Sequence, residues 1–196
     1  MRKFILVSVA MLCFAGAAAA QDNNTTAAVS ADPASPAAAR MSSGEGYPWQ
    51  VGANFTYQRF DMGKSNANLY GIQTSVNRWI ADSPVGIEGT VTATFGRFSP
   101  TVREQVVFYG GGLKVGKREG KYQPWAHILF GGAHDRFNQG VGPSGFNTWG
   151  FMGGGGIDIQ WRSHIAWRAQ VDFLGTHFGG VFQKTVNVGG GIVLDF

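Results

Sequence analysis

The stretch Val85-Gly86-Ile87-Glu88-Gly89-Thr90-Val91-Thr92-Ala93-Thr94-Phe95 decides the fold. Its odd positions carry Val, Ile, Gly, Val, Ala and Phe; its even positions carry Gly, Glu and Thr. Successive side chains of a strand point to opposite sides, so this alternation predicts a β-strand with one apolar and one polar face. The pattern recurs on both sides. Upstream, Trp49, Val51, Ala53, Phe55 and Tyr57 alternate with Gln50, Gly52, Asn54, Thr56 and Gln58. After a turn segment at 61–67, Tyr70, Ile72, Thr74 and Val76 alternate with Gly71, Gln73, Ser75 and Asn77.

Downstream, Val107, Tyr109, Gly111, Leu113 and Val115 alternate with Phe108, Gly110, Gly112 and Lys114. Pro124, Ala126, Ile128 and Phe130 alternate with Trp125, His127 and Leu129, a run that marks neither face clearly. Three more alternating runs start at Phe151, Ile165 and Val186. The chain thus predicts eight strands of about ten to fourteen residues each. The connections are short, which only antiparallel neighbours allow. Eight antiparallel strands joined in sequence close into an up-and-down barrel, an all-β fold. Glycine runs at 110–112, 153–156 and 189–191 suit the bending and crowding of a narrow barrel.

Composition points the same way. Only 14% of the 196 residues are charged, against roughly 25% in an average soluble domain. Aromatics make up 13%, and there are 30 glycines. No apolar run after residue 20 reaches the 18 residues of a membrane helix. Residues 1–20 read as a secretory signal peptide. Arg2 and Lys3 form its basic start, Phe4 to Phe14 its apolar run, and Ala18-Ala19-Ala20 its cleavage site. Leu12 before Cys13 argues against a lipoprotein signal. Cleavage removes the one Cys, which excludes disulfides, thiol catalysis and Cys-based metal sites. It also leaves 16 − 2 = 14 basic residues against 12 acidic ones, a net charge of +2. The basic cluster Lys114, Lys117, Arg118 and Lys121 lacks interleaved aromatics, so no nucleic-acid partner is expected. Residues 21–46, rich in Ala, Ser, Pro and Asn, cannot bury enough surface to order and read as disordered. The barrel domain is then 47–196.

Which face is wet decides the class. A soluble lipocalin-like barrel turns its apolar row inward; an outer-membrane barrel turns it toward lipid. The strand lengths match a tilted span. Aromatics near strand ends, namely Trp49, Tyr70, Trp79, Trp161, Trp167 and Phe196, suit an aromatic girdle. Turns at 81–84, 117–121 and 162–164 are short, while 134–146 reads as a long Gly-rich loop. Together with the charge shortage, these features predict a transmembrane barrel.

The sequence ends Gly190-Gly191-Ile192-Val193-Leu194-Asp195-Phe196. The alternate row Gly190, Ile192, Leu194 and Phe196 resembles the C-terminal β-signal read by the outer-membrane assembly machinery. The region from Trp49 to Phe196 as a whole resembles the small outer-membrane β-barrel family, OmpA/OmpX-like in size. Asn68-Leu69-Tyr70-Gly71 through Val76-Asn77-Arg78-Trp79 also resembles a group of uncharacterised outer-membrane β-barrel domain proteins, as does Pro124-Trp125-Ala126-His127 through Leu129-Phe130-Gly131-Gly132-Ala133-His134. The resemblance implies an eight-stranded barrel with periplasmic termini and no specific activity. A peptidoglycan-binding domain of the full-length OmpA type is not found in the sequence.

The polar faces suggest what fills the barrel. Glu88, Lys114, Asp158 and Arg168 each fall a few residues from a turn at one end, with Asp172 one layer higher. A three-residue turn at 162–164 pairs Asp158 with Arg168; a five-residue loop at 99–103 pairs Glu88 with Lys114. Opposite charges directly across a hairpin are favourable, so a charge network plugging the lumen is expected.

Catalytic, cofactor and metal sites are not expected. Ser163-His164 has the wrong order for a His-x-Ser deacylase, and His127 and His134 lie on opposite faces, as neutral interior or interface histidines. Gly153 to Gly156 lies inside a strand pattern and so forms no dinucleotide site. Three functions remain. The first is a monomeric structural or interaction barrel of the Gram-negative outer membrane, partnered by outer-membrane lipid and the assembly machinery. The others are a narrow porin-like channel and a soluble periplasmic binding barrel.

Overall fold

Residue-by-residue alternation carries through every strand of the computed structural model, which describes residues 47–61, 66–81, 83–99, 102–138, 143–178 and 181–196. The expected signal peptide and disordered segment lie outside the described residues. The strands are β1 (Trp49–Asp61), β2 (Asn66–Trp79), β3 (Val85–Ser99), β4 (Val102–Gly116), β5 (Tyr122–Asn138), β6 (Pro143–Arg162), β7 (Ile165–Phe178) and β8 (Val181–Asp195). Each pairs antiparallel with its neighbour in sequence, and β8 returns to β1, closing the barrel. At the seam, Trp49 and Phe196 exchange two backbone hydrogen bonds of 2.9 Å.

The registers fix the barrel's shape. Gln50 faces Asn77, which faces Glu88, then Gly112, Leu129, Met152, Leu174 and Thr185 in turn; Thr185 faces Phe60 on β1. One circuit therefore climbs ten residues of β1, from position 50 to position 60. For eight strands that stagger sets a tilt of about 40°. Even the 13-residue β1 then spans about 33 Å along the axis, more than the ~25 Å apolar band of a transmembrane barrel.

The strands run from 13 to 20 residues, longer than the periodicity predicts. The segment 134–146, expected as a long loop, is mostly the paired ends of β5 and β6, with His134 opposite Asn147 and Asn138 opposite Pro143. Its polar residues hid the strand because that part of the wall carries no apolar row. At the opposite end, which also holds the described termini of the barrel, the connections run through 80–84, 117–121 and 163–164. Gly120 takes a φ of +82° in the second of these, a left-handed conformation that glycine adopts without steric cost.

Inward glycines let neighbouring strands approach. A Cβ on Gly112 would meet the carbonyl oxygen of Ile128 and, at 2.9 Å, the Cα of Leu129. Both are backbone and cannot yield cheaply. On the outward Gly111 the nearest atom is Glu88 O at 3.5 Å, an ordinary contact. Gly112→Val is therefore expected to cost about 1–3 kcal/mol, and Gly111→Ala under about 0.5 kcal/mol. Urea unfolding of the refolded protein checks both; equal costs would refute the close approach.

Candidate functional site

Two faces of the wall carry different chemistry. Among described side chains, the outward row is apolar through the middle of every strand, including Phe55, Ile72, Ile87, Val91, Tyr109, Leu113, Phe130, Val171 and Ile192. Among the described strand side chains, outward charges occur only near strand ends: Arg59, Arg97, Arg103, Arg136 and Lys184 at one end, Arg78 and Arg162 at the other. The carboxylates among the described strand side chains, Glu88, Glu104, Asp135, Asp158, Asp172 and Asp195, all point inward and are buried.

The lumen near the terminal end holds one connected polar network. Arg168 on β7 grips Asp158 on β6 with two hydrogen bonds of 2.7 Å, from Nε to Oδ1 and from Nη2 to Oδ2. This two-pronged fit uses the planar guanidinium fully. The same Nη2 donates to Gln50 Oε1 at 3.0 Å, and Nη1 to Ser75 Oγ at 3.3 Å. Gln50 Oε1 also accepts from Lys114 Nζ at 2.7 Å, while its amide nitrogen donates to Asp195 at 3.0 Å. Lys114 lies 3.7 Å from Glu88. His127 bridges Glu88 and Asp172 at 3.1 Å on each ring nitrogen. Asp172 accepts from Gln170, which donates to Gln73 and accepts from Asn54. Every one of the eight strands contributes a side chain.

Trp125 is the network's aromatic centre. Its ring lies 4.4 Å from Lys114 Nζ and 4.7 Å from the Arg168 guanidinium, and its Nε1 donates to Asp158 at 3.0 Å. Two cations against one indole, with the indole N–H on a carboxylate, combine cation–π attraction with charge pairing out of water. Inward glycines make the room: a Cβ on Gly52 would stand 3.1 Å from Arg168 Nη1, and one on Gly156 would stand 2.8 Å from the Trp125 ring. Above the network the lumen turns apolar, with Phe108, Leu129, Ala133, Met152 and Leu174 packed together and buried.

Glu88, Lys114, Asp158, Arg168 and Asp172 all point into the lumen and are no more than 4% exposed. Their registers differ in part from the expected ones. Asp158 faces Arg168, but through a bulge at 160–162 that sets Arg162 opposite Ile165. Glu88 faces Gly112 rather than Lys114, because Ser99 pairs with Val102 and the hairpin is tighter than expected. The shift is two residues, so both side chains stay on the inner face and meet diagonally.

The expected girdle needs one correction. Trp49, Tyr70, Trp161 and Trp167 point outward and are 43–56% exposed, but Trp79 is buried. It shares the inner face with Gln73, Ser75 and Asn77, and lies 5.5 Å from Lys114 and 5.3 Å from Arg118. The outward residue there is Arg78, stacked at 5.3 Å on Trp49. Gly190, Ile192, Leu194 and Phe196 all point outward.

His127 and Trp125 were missed as network members because the β5 pattern hides its faces. Ile128 and Phe130 are outward, at 49% and 62% exposure, while Trp125, His127 and Leu129 are inward. His127 was expected as a neutral interior histidine. Both its nitrogens lie 3.1 Å from carboxylate oxygens, Glu88 Oε1 and Asp172 Oδ1, so it is a bridging member of the network rather than an isolated interior histidine.

A closed eight-stranded antiparallel barrel with an apolar outer belt and a polar, charged interior is the fold of the small outer-membrane β-barrels. Solved structures bear out that likeness. Neisserial surface protein A matches with a TM-score of 0.67 at 10% identity, over 76% of this chain and 97% of that one. Ail, the attachment invasion locus protein of Yersinia pestis, matches with 0.54 at 11%, over 74% and 97%. The outer membrane protein OprG from Pseudomonas aeruginosa matches with 0.54 at 11%, over 76% and 95%. Neither protein-family models nor curated protein sequences give a match.

Proposed function

We propose that this protein is a monomeric integral barrel of the Gram-negative outer membrane, with a structural or interaction role rather than an enzymatic one, and with its lumen plugged by its own side chains. The observation that carries the reading is the outer belt. Between the charged rims at the two strand ends the described outward side chains are uncharged, while eight charged residues (Glu88, Glu104, Lys114, Asp135, Asp158, Arg168, Asp172 and Asp195) lie buried inside. A soluble barrel would carry the opposite arrangement. The polar network and the apolar layer above it support a closed lumen, since eight strands leave room only for side chains. The row Gly190, Ile192, Leu194 and Phe196, outward on the strand that closes the barrel, is what the assembly machinery would read.

Two measurements test this. After export through the N-terminal signal, the protein is expected in the outer-membrane fraction, with a gel mobility that changes on boiling. Recovery in the soluble periplasm would overturn the reading. In planar bilayers it is expected to insert without stable ion-sized openings; sustained openings would support the channel alternative instead.

A further inference from the structure

The outward arginines at the loop end have a feature the folded wall does not explain. Arg97 on β3 and Arg103 on β4 are directly opposed in the register. Arg136 on β5 faces Gln105 and so stands one diagonal step from Arg103. All three are exposed on the outer face. Opposed residues of an antiparallel pair have Cα atoms about 4.5–5.5 Å apart, where like charges repel. Carboxylates adjacent in sequence do not relieve this, because Glu104 and Asp135 point into the lumen. Nor do the hairpin connections, since Phe98 to Val102 and Phe137 to Gly145 contain no Asp or Glu.

The other end behaves differently. There Arg78 lies over Trp49, Arg162 over Trp161 at 5.0 Å, and Lys121 over Tyr122 at 5.7 Å. These three cations rest on rings. Among the described residues, Arg97, Arg103 and Arg136 have neither a ring nor an ion-pair partner. Three neighbouring guanidiniums without a counter-charge among the described side chains form a site for a multiply charged anion, and planar forks fit phosphate oxygens two at a time.

We propose that Arg97, Arg103 and Arg136 bind the phosphate groups of an anionic lipid headgroup in the surrounding leaflet. The position argues for a lipid. The arginines project sideways from the wall, not into the barrel mouth, and Phe95 of the apolar belt lies two residues below Arg97 on the same face, half exposed. They therefore stand at the level where acyl chains give way to headgroups. The proposal rests on the membrane reading above.

The test uses the full mature chain in phosphatidylcholine nanodiscs containing either diphosphorylated lipid A or the same lipid with its phosphates removed. Bound lipid is counted by native mass spectrometry. The wild-type protein is expected to retain the phosphorylated form alone. Each of Arg97→Gln, Arg103→Gln and Arg136→Gln is expected to weaken retention about fivefold, and the triple variant about a hundredfold. Arg78→Gln and Arg162→Gln at the opposite end are expected to leave it unchanged. Equal retention of the dephosphorylated lipid, or no loss in any single variant, overturns the proposal; the single variants carry the test if the triple variant does not fold. Complete displacement by millimolar inorganic phosphate or by a soluble sulfated sugar would assign the site to a free anion and overturn it too. Both leaflets of the disc hold the same lipid, so the result does not depend on which end faces outward. A failure of the membrane reading appears separately, as protein that does not enter discs.

Discussion

Asp158→Ala is expected to destabilise the barrel by about 3–5 kcal/mol, because it strands Arg168 in the lumen without its counter-charge. The pair is buried, at 2% and 4% exposure, and joined by two 2.7 Å hydrogen bonds. The substitution also removes the acceptor of the Trp125 indole N–H. Arg168 keeps Gln50 and Ser75, which are neutral and cannot replace a carboxylate. The double variant Asp158→Leu, Arg168→Met is expected to recover most of the loss, since replacing both charges of a buried pair with apolar groups is often neutral. Arg162→Ala, an exposed residue, is the control and should cost under about 0.5 kcal/mol. Urea unfolding in lipid vesicles, followed by tryptophan fluorescence, measures all three. A loss below about 1 kcal/mol for Asp158→Ala would mean that water reaches the pair and that the network does not hold the lumen together.

That pair was legible in the sequence, and the reason is instructive. Strand period and turn position together fix both the face and the register of Asp158 and Arg168, and the β6–β7 bulge leaves their pairing intact. Parity alone put Glu88 and Lys114 inside, but their register depended on a loop whose length the sequence does not specify. Faces failed where both rows of a strand are bulky. In β5 an indole, an imidazole and a leucine point inward beneath an equally apolar outer row. No periodicity separates two apolar faces; only Lys114, Asp158 and Arg168, brought close by folding, mark Trp125 as interior. Trp79 shows the converse error. Its position near a strand end suggested a girdle, while its parity with Gln73 and Asn77 already assigned it to the lumen. The apolar layer of Phe108, Leu129, Met152 and Leu174 was illegible for a similar reason, because it draws single residues from four strands.

Val91→Arg carries the sharpest discrimination between a lipid-facing and a water-facing belt. Val91 lies at the centre of β3, opposite Tyr109, and points outward at 47% exposure. On the lipid face near the bilayer midplane, an arginine costs about 2–4 kcal/mol, falling to about 0–1 near the interfaces. Val91→Arg is therefore expected to lower stability in phosphatidylcholine vesicles by about 2–4 kcal/mol. Ile87→Arg, four residues nearer the terminal end on the same strand and face, is expected to cost less, because its guanidinium can reach the headgroups. A soluble barrel predicts no such gradient: an arginine on a hydrated outer wall is close to neutral at both positions. The depth dependence, rather than the size of either loss, is what a membrane imposes. Equal small costs at Val91 and Ile87 would therefore refute the lipid-facing belt, even if the barrel folded well in detergent.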